Sequence, residues 1–483
     1  MLEKVNRLRK KYITDDSFVN HSVNYLIERF GVKGLSFIAI PIFTFLLSPD
    51  EYGQYVNFTA FASIFSVIWG INISSSLANI YLKEKDKFNS FLGSALLFTV
   101  FINILFIIVV LFLRSSIINA FSISEKEVYL LIFFLIGNNL YNYYIAYLKA
   151  SQNSKQTRNF SYIKVIVTLA ASIIIILSLN NNKYLGRIYG DLIGVLIIFI
   201  MSILPLLRLA KLNFKYEHIV FIFSFGFALI PYALSNQIII SSDRILIKNL
   251  CSNSDAGLYG FAYNISLILS MIINATNAAW IPIFFKNYNK KQYKEINKKF
   301  KIYTLIVFYV ILTFILFNKE FVQLISNERF HSSIGIIHVL AISHIFIFLF
   351  TIYSQFFLYK RKIGGLLIVS LLSASINIIL NYLLIPQYGY KVAAFTTLIS
   401  YFILSSLLYL ILKYKLKVNF FSLKRIIPEI LLVVITYGVY VIIIETINNN
   451  FIEFLLKGVV FIVLSYFAFQ FFKKEKNGKR IRS

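Results

Sequence analysis

Apolar runs of about 20 residues recur along the whole chain, each long enough to cross a hydrocarbon core of about 30 Å. A backbone in lipid must satisfy its own hydrogen bonds, and a helix does so within one segment. The composition agrees: of 483 residues, 58% are hydrophobic and 14% charged, where a soluble domain carries about a quarter charged residues. The expected fold is an all-α polytopic membrane protein. Fourteen spans are predicted, near 22–47, 54–82, 90–113, 127–150, 160–180, 184–208, 219–248, 257–285, 301–318, 334–358, 364–385, 391–412, 427–446 and 452–472. Lys and Arg in the flanking segments alternate, 36 in one set against 9 in the other, with Arg29, Lys33 and Lys457 inside spans. By the positive-inside rule both termini are then cytoplasmic.

Several function classes fall away. The net charge of +27 lies in short loops between spans, which is a membrane pattern and implies no nucleic-acid partner. A single cysteine, Cys251, excludes an intramolecular disulfide and a cysteine-cluster metal site. The sequence has no G-x-x-x-x-G-K-[ST] phosphate loop and no H-E-x-x-H metal pair. The loops are too short for a separate enzyme domain. The longest cytoplasmic one, Lys286 to Lys301, is lysine-rich. Residues 1 to 21 are polar and basic without a cleavage pattern, so the first span is expected to act as an uncleaved insertion signal.

The stretch from Ile230 to Tyr263 carries a polar seam, Ser235, Asn236, Gln237, Ser241, Ser242 and Asp243, then breaks at CSNSD and restarts with Gly257 and Tyr259. It echoes LLSPDEYGQYVNF, Leu46 to Phe58, where Gly53 and Tyr55 take the same places. A second matched pair follows, LGRIYGDLIGVL (Leu185 to Leu196) and QYGYKVAAFTTLIS (Gln387 to Ser400). Gly53 to Gly186 is 133 residues and Gly257 to Gly389 is 132. Equal spacing of two pairs predicts a repeat of six spans, inserted in the same direction and related by an axis along the membrane normal. The expected organisation is a six-helix lobe over 1–218, a second over 219–412, and two additional helices with a basic tail over 413–483.

On these stretches the chain resembles the polysaccharide flippases of bacteria, the Wzx-type O-antigen and capsule-unit transporters. Their superfamily also holds the MATE drug exporters and the lipid II flippase. The resemblance rests on LSPDEYGQY, on SSDR with AGLYGFAY, on NAAWIPIFF (Asn277 to Phe285) and on NIILNYLLIPQYGYKVAAFTTLIS (Asn377 to Ser400), and it covers both halves. Lys391-Val392 departs from the family's small residue before Ala-Ala and reads as a local packing change. The resemblance implies a MATE-like fold and transport of undecaprenyl-pyrophosphate-linked repeat units across the bacterial inner membrane by alternating access. It implies partners in that glycan, in membrane lipids, and in a polysaccharide polymerase and chain-length regulator. It implies no cofactor beyond proton or sodium coupling.

A pyrophosphate crossing lipid needs cations in its path. Arg29 and Lys33 are one helical turn apart and share a face. They either line that path or snorkel to headgroups, or pair with Glu28 and Asp191. Arg244 and Lys248 repeat the spacing nearer the outer end of span 7. Asp243 either binds a coupling ion or pairs with a basic side chain. In span 4, Asn138 and Asn142 share one face, and Asn139, Tyr143 and Tyr147 another. Amides and rings suit sugars, though asparagine serves helix–helix hydrogen bonding equally well. The same holds for Asn274, Asn277 and Trp280, and for Gln355, Asn377 and Asn381. His338 and His344 are not spaced to act together. Two other readings compete. A MATE-like cation exporter should show acidic cavity residues, whereas span 1 is mainly basic. A membrane glycosyltransferase or polymerase would use Asp50 and Glu51, but those enzymes have large external loops.

Overall fold

The computed structural model describes residues 16–71, 73–227, 230–360, 362–418, 421, 426–447 and 449–477, without the side chains of 16–23, 25, 26, 29, 120, 225, 363 and 471–477. Among the described residues there is no strand. Packing divides the chain into two units, Met1–Gly257 and Leu258–Ser483. The first holds α1 (Asp16–Leu46), α2 (Pro49–Trp69), α3 (Ile73–Lys83), α4 (Phe88–Phe112), α5 (Arg114–Phe121), α6 (Glu125–Ala150), α7 (Ser154–Ser178), α8 (Lys183–Leu209), α9 (Tyr216–Gly226) and α10 (Ile230–Leu250). Helix α11 (Asn253–Asn289) begins in it and continues into the second unit. The second also holds α12 (Tyr293–Ile325), α13 (Ile334–Tyr359), α14 (Ile363–Tyr388), α15 (Val392–Leu410), α16 (Ile427–Thr446) and α17 (Asn450–Asn477).

Among the described residues eleven helices are long and apolar enough to cross a membrane, and α2 with α3, bent by 48° at their break, makes a twelfth. The expected count of fourteen is not reached by this measure. Among the described residues helix α1 contributes a shorter apolar stretch, Phe30–Leu46. The expected span 219–248 takes in α9 and α10, on either side of residues 228 and 229, which lie outside the described residues.

Local chemistry sets the helix starts. Ser48 is the N-cap of α2: its hydroxyl accepts from Glu51 N at 3.2 Å, and the Glu51 carboxylate accepts from Ser48 N at 3.2 Å. Pro49 fills the position where a missing N–H is harmless. The second motif copy does likewise: Ser252 Oγ accepts from Asp255 N at 3.0 Å and donates to the Asp255 carboxylate at 2.7 Å. The SPDEYG turn is therefore a capped helix entry. Glu51 also accepts from Lys183 N, at the start of α8, at 2.9 Å. Ser48→Ala should lower stability by about 1 kcal/mol, read as a lower thermal midpoint in detergent; an unchanged midpoint would show that the cap contributes nothing.

Helices α7 and α8 meet through small residues. A Cβ on Gly190 would stand 2.0 Å from Ser172 Oγ, and one on Gly194 1.9 Å from Thr168 Oγ1. Glycine at this spacing lets two backbones approach closely where no hydrophobic force drives them together. The LGRIYGDLIG motif is thus in part a packing stripe. In the first unit's core, Trp69 stacks on Phe106 at 5.2 Å and donates to Asn103 Oδ1 at 2.6 Å.

Candidate functional site

The two matched sequence pairs touch in each copy. Tyr55 of α2 donates to the Asp191 carboxylate of α8 at 3.0 Å. In the second unit the Tyr259 hydroxyl lies 3.3 Å from Thr397 Oγ1 of α15. These two contacts join residues 136 and 138 apart in the sequence. In the first copy the contact grows into a network. Arg187 donates to Asp191 at 3.0 Å and to Ser172 Oγ at 2.9 Å, with its guanidinium 4.5 Å from the Phe43 ring centroid and 4.9 Å from that of Tyr55. Asp191 is therefore held by Arg187 and Tyr55.

The polar seam of α10 docks on α2. Gln237 donates to Ser63 Oγ at 2.9 Å and to Ser241 Oγ at 2.8 Å, and the Ser63 and Ser241 hydroxyls are 3.1 Å apart. Asp243 and Arg244 are both buried in the first unit, and Arg244 donates to Ile240 O at 3.3 Å. Lys248 donates to Ser122 O at 2.8 Å, beyond the last residue of α5, where a helix end favours a cation.

On α1, Lys33 is exposed, and the Arg29 side chain lies outside the described residues, as do those of Ser22 and Tyr25. Glu28 is buried and accepts from Ser161 of α7 at 2.9 Å. On α6 the expected faces separate differently. Asn142 is exposed. Asn138 is half-buried and accepts from Lys164 Nζ at 3.1 Å. Tyr143 is 2% exposed, its hydroxyl 3.0 Å from Thr99 Oγ1. Tyr147 stacks on Phe88 at 5.4 Å and meets Tyr81 edge-on at 5.7 Å. Asn139 donates to Trp69 O at 3.3 Å. The structure thus brings Asn138, Tyr141, Ser161, Lys164 and Glu28 together and sets Tyr143 and Tyr147 into packing. Lys164 and Tyr141 were not singled out from the sequence; the signal was a lysine inside an apolar run.

In the second unit Lys457 is 0% exposed. It donates to Glu320 at 2.7 Å and to Glu453 at 2.5 Å, and Lys319 donates to the other Glu453 oxygen at 2.6 Å. The Tyr440 ring centroid lies 4.9 Å from Lys457 Nζ, with the His338 ring 4.3 Å from Tyr440. His344 sits apart, its Nε2 3.0 Å from Ser270 Oγ. The histidines do not act as a pair. Asn381 accepts from Thr396 at 2.5 Å. Asn277 and Trp280 are buried, the latter among Phe284, Phe300 and Tyr303. Among the described residues no group of three His, Cys, Asp or Glu could hold a metal ion.

Helical units with ionisable and amide groups set inside apolar spans define a polytopic membrane protein. The chain belongs to the polysaccharide biosynthesis protein family, whose model matches residues 20–288. It is similar to the Lsg locus protein 1 of Haemophilus influenzae, 23% identical over 282 residues, 56% of this chain and 67% of the relative. A second membrane protein of that organism is 24% identical over 281 residues, 56% of this chain and 66% of its own length. The alignments thus span about two thirds of the relatives' length. The fold is that of the lipid II flippase MurJ in its inward closed conformation, with a TM-score of 0.71 at 16% identity over 95% of this chain and 99% of that one. An inward-facing multidrug resistance MATE family transporter of the MOP superfamily matches with a TM-score of 0.63 at 14% identity, over 80% of this chain and 96% of that one. By their names these two solved neighbours are a flippase and a transporter.

Proposed function

We propose that this protein flips undecaprenyl-pyrophosphate-linked oligosaccharide repeat units across a bacterial inner membrane, for O-antigen or capsule synthesis, by alternating access. The family match, with its polysaccharide biosynthesis description, carries this reading. In this proposal the termini are cytoplasmic, the repeated lobes are 1–218 and 219–412, and residues 413–483 add two helices on the lipid side. A polymerase and a chain-length regulator take the product onward. Arg29 and Lys33 hold the pyrophosphate, with Arg244 and Lys248 as a second basic pair nearer the far side. Asn138 and Asn142 bind sugar hydroxyls. Asp243 carries the coupling proton or sodium ion. Tyr143 and Tyr147 complete the sugar-binding face, Tyr143 from a buried position and Tyr147 from a half-buried one. A MATE-like exporter of organic cations is the second reading, favoured by the buried carboxylate of Asp243.

Complementation of a flippase-null strain tests the proposal. The chain should restore surface glycan when the glycosyltransferases of its own gene cluster are supplied. The double variant Arg29→Ala with Lys33→Ala should lower export at unchanged membrane level. Arg29→Lys should be partly tolerated, since lysine keeps the charge but loses the planar fork. Normal export by an abundant double alanine variant would remove these two residues from the site. Resistance to organic cations without glycan export would favour the second reading.

A further inference from the structure

Three cations set inside apolar helices differ in what surrounds them. Arg187 has Asp191 at 3.0 Å. Lys457 has Glu320 at 2.7 Å and Glu453 at 2.5 Å. Lys164 has no carboxylate. Its Nζ donates to the amide oxygen of Asn138 at 3.1 Å and stands 4.1 Å from the Tyr141 ring centroid. Among the described residues no carboxylate oxygen lies within ion-pair distance of it. The nearby acids are engaged elsewhere, Glu28 by Ser161 and Asp191 by Arg187 and Tyr55. Lys164 is also deep: it is the eleventh of the 25 residues of α7, about 15 Å along it at a rise of 1.5 Å per residue.

Both partners of Lys164 suit an ammonium, since an amide oxygen accepts its proton and a ring face attracts its charge. Neither neutralises it. A charge inside a span is costly and is kept where it meets an anion or a water-filled path. Asn138, Tyr141 and Asn142 share one face of α6 by helical spacing, and Asn142 on that face is exposed. A cation flanked by neutral hydrogen-bonding groups matches an acidic group attached to a sugar.

We propose that the Lys164 ammonium, oriented by Asn138 and Tyr141, binds an acidic group of the transported glycan. This rests on the lipid-linked-glycan reading above. Two chemistries present such a group: the pyrophosphate on the first sugar, and the carboxylate of an acidic sugar. The contrast with Lys457 gives the rule behind the assignment. A buried lysine with two carboxylates is already complete, whereas one with only an amide and a ring has no counter-charge of its own.

The test uses the full chain in phosphatidylcholine nanodiscs, so that anionic lipid does not compete. Binding of undecaprenyl pyrophosphate is compared with that of undecaprenol, and binding of a glucuronate-bearing oligosaccharide with that of its glucose counterpart. Wild type should prefer the acidic member of at least one pair. Lys164→Gln should lose that preference by about tenfold, the worth of one charge-assisted hydrogen bond, and Lys164→Arg should keep most of it. The pair that loses its preference identifies the group bound. Asn138→Asp is the decisive variant, because it supplies the missing carboxylate in place. It should keep the protein folded, by size-exclusion profile and membrane level, and still weaken binding of the acidic probe about tenfold, because an internal ion pair now competes. A packing role for Lys164 would leave the affinity of Asn138→Asp at the wild-type value. Wild type and Lys164→Gln preferring the acidic probes equally would overturn this inference alone. A wild type that distinguishes neither pair would overturn it together with the lipid-linked-glycan reading.

Discussion

Lys457→Met is expected to deplete folded protein from the membrane. The four charges around this residue alternate, Lys319, Glu453, Lys457 and Glu320, and sum to zero. They join α12 to α17, which also share a hydroxyl contact, Tyr309 to Ser465 at 2.6 Å, and ring contacts of Phe317 with Phe454 and Phe461. Removing the Lys457 charge leaves two carboxylates against one ammonium at a 0%-exposed site. Breaking a buried pair by deleting one partner costs about 3–5 kcal/mol, because the remaining charge is left uncompensated. That is a large share of a typical stability of about 5–15 kcal/mol. The double variant Lys457→Met with Glu320→Gln restores neutrality, since Lys319 still pairs with Glu453, and should recover part of the loss. Membrane level and thermal midpoint in detergent measure both. Wild-type stability in Lys457→Met would mean that the network contributes nothing, and failure of the double variant to recover would show that the loss comes from packing and not from charge.

The membrane class was readable from local rules. Spans of about 20 apolar residues need no tertiary knowledge, and the matched stretches of each half meet through the contacts Tyr55–Asp191 and Tyr259–Thr397. The capping boxes were also present as residues, although the sequence showed them only as turns. Lys164 was hidden by a boundary. The apolar run near 160–180 put it among the flanking basic residues, but α7 begins at Ser154, because Asn153 caps it by accepting from Gln156 N at 3.2 Å. Two polar turns thus moved Lys164 from the helix edge to its interior. The burial of Tyr143 and the half-burial of Tyr147 were not legible for a different reason. Helix α6 is aromatic on several faces, so period alone does not separate a face toward protein from one toward substrate. Lys457 was visible inside a span, yet Glu320 is 137 residues away, and no local pattern names such a partner.

Gly53→Val and Gly257→Val should each be among the most damaging single changes in the chain, although neither residue carries chemistry. A Cβ on Gly53 would stand 1.8 Å from Asn253 O and 2.9 Å from Gly257 N. A Cβ on Gly257 would stand 1.9 Å from Pro49 O and 2.9 Å from Gly53 N. The contact is reciprocal: each glycine faces the residue four before the other, and all four belong to the first unit. The two motif copies therefore meet, first turn against first turn, at Gly53 and Gly257. A flexible side chain could turn away from a new methyl, but here the obstacle is backbone. Both first turns are also held by their caps, Ser48 with Glu51 and Ser252 with Asp255. Overpacking a well-filled site costs about 1–3 kcal/mol and more where nothing can yield, so each variant should lie at or beyond the top of that range. Gly335→Ala, whose Cβ would meet nothing within 4 Å, is the control and should be silent. The pair also makes a sharper claim. Once one Cβ has pushed the turns apart, the second finds the space already open, so the double variant should cost far less than the sum of the singles, as expected for residues sharing one contact. Thermal midpoints of the two singles, the double and the Gly335 control decide it. Additive losses would mean that the two sites yield independently, and wild-type midpoints in both singles would show that the turns are not in contact.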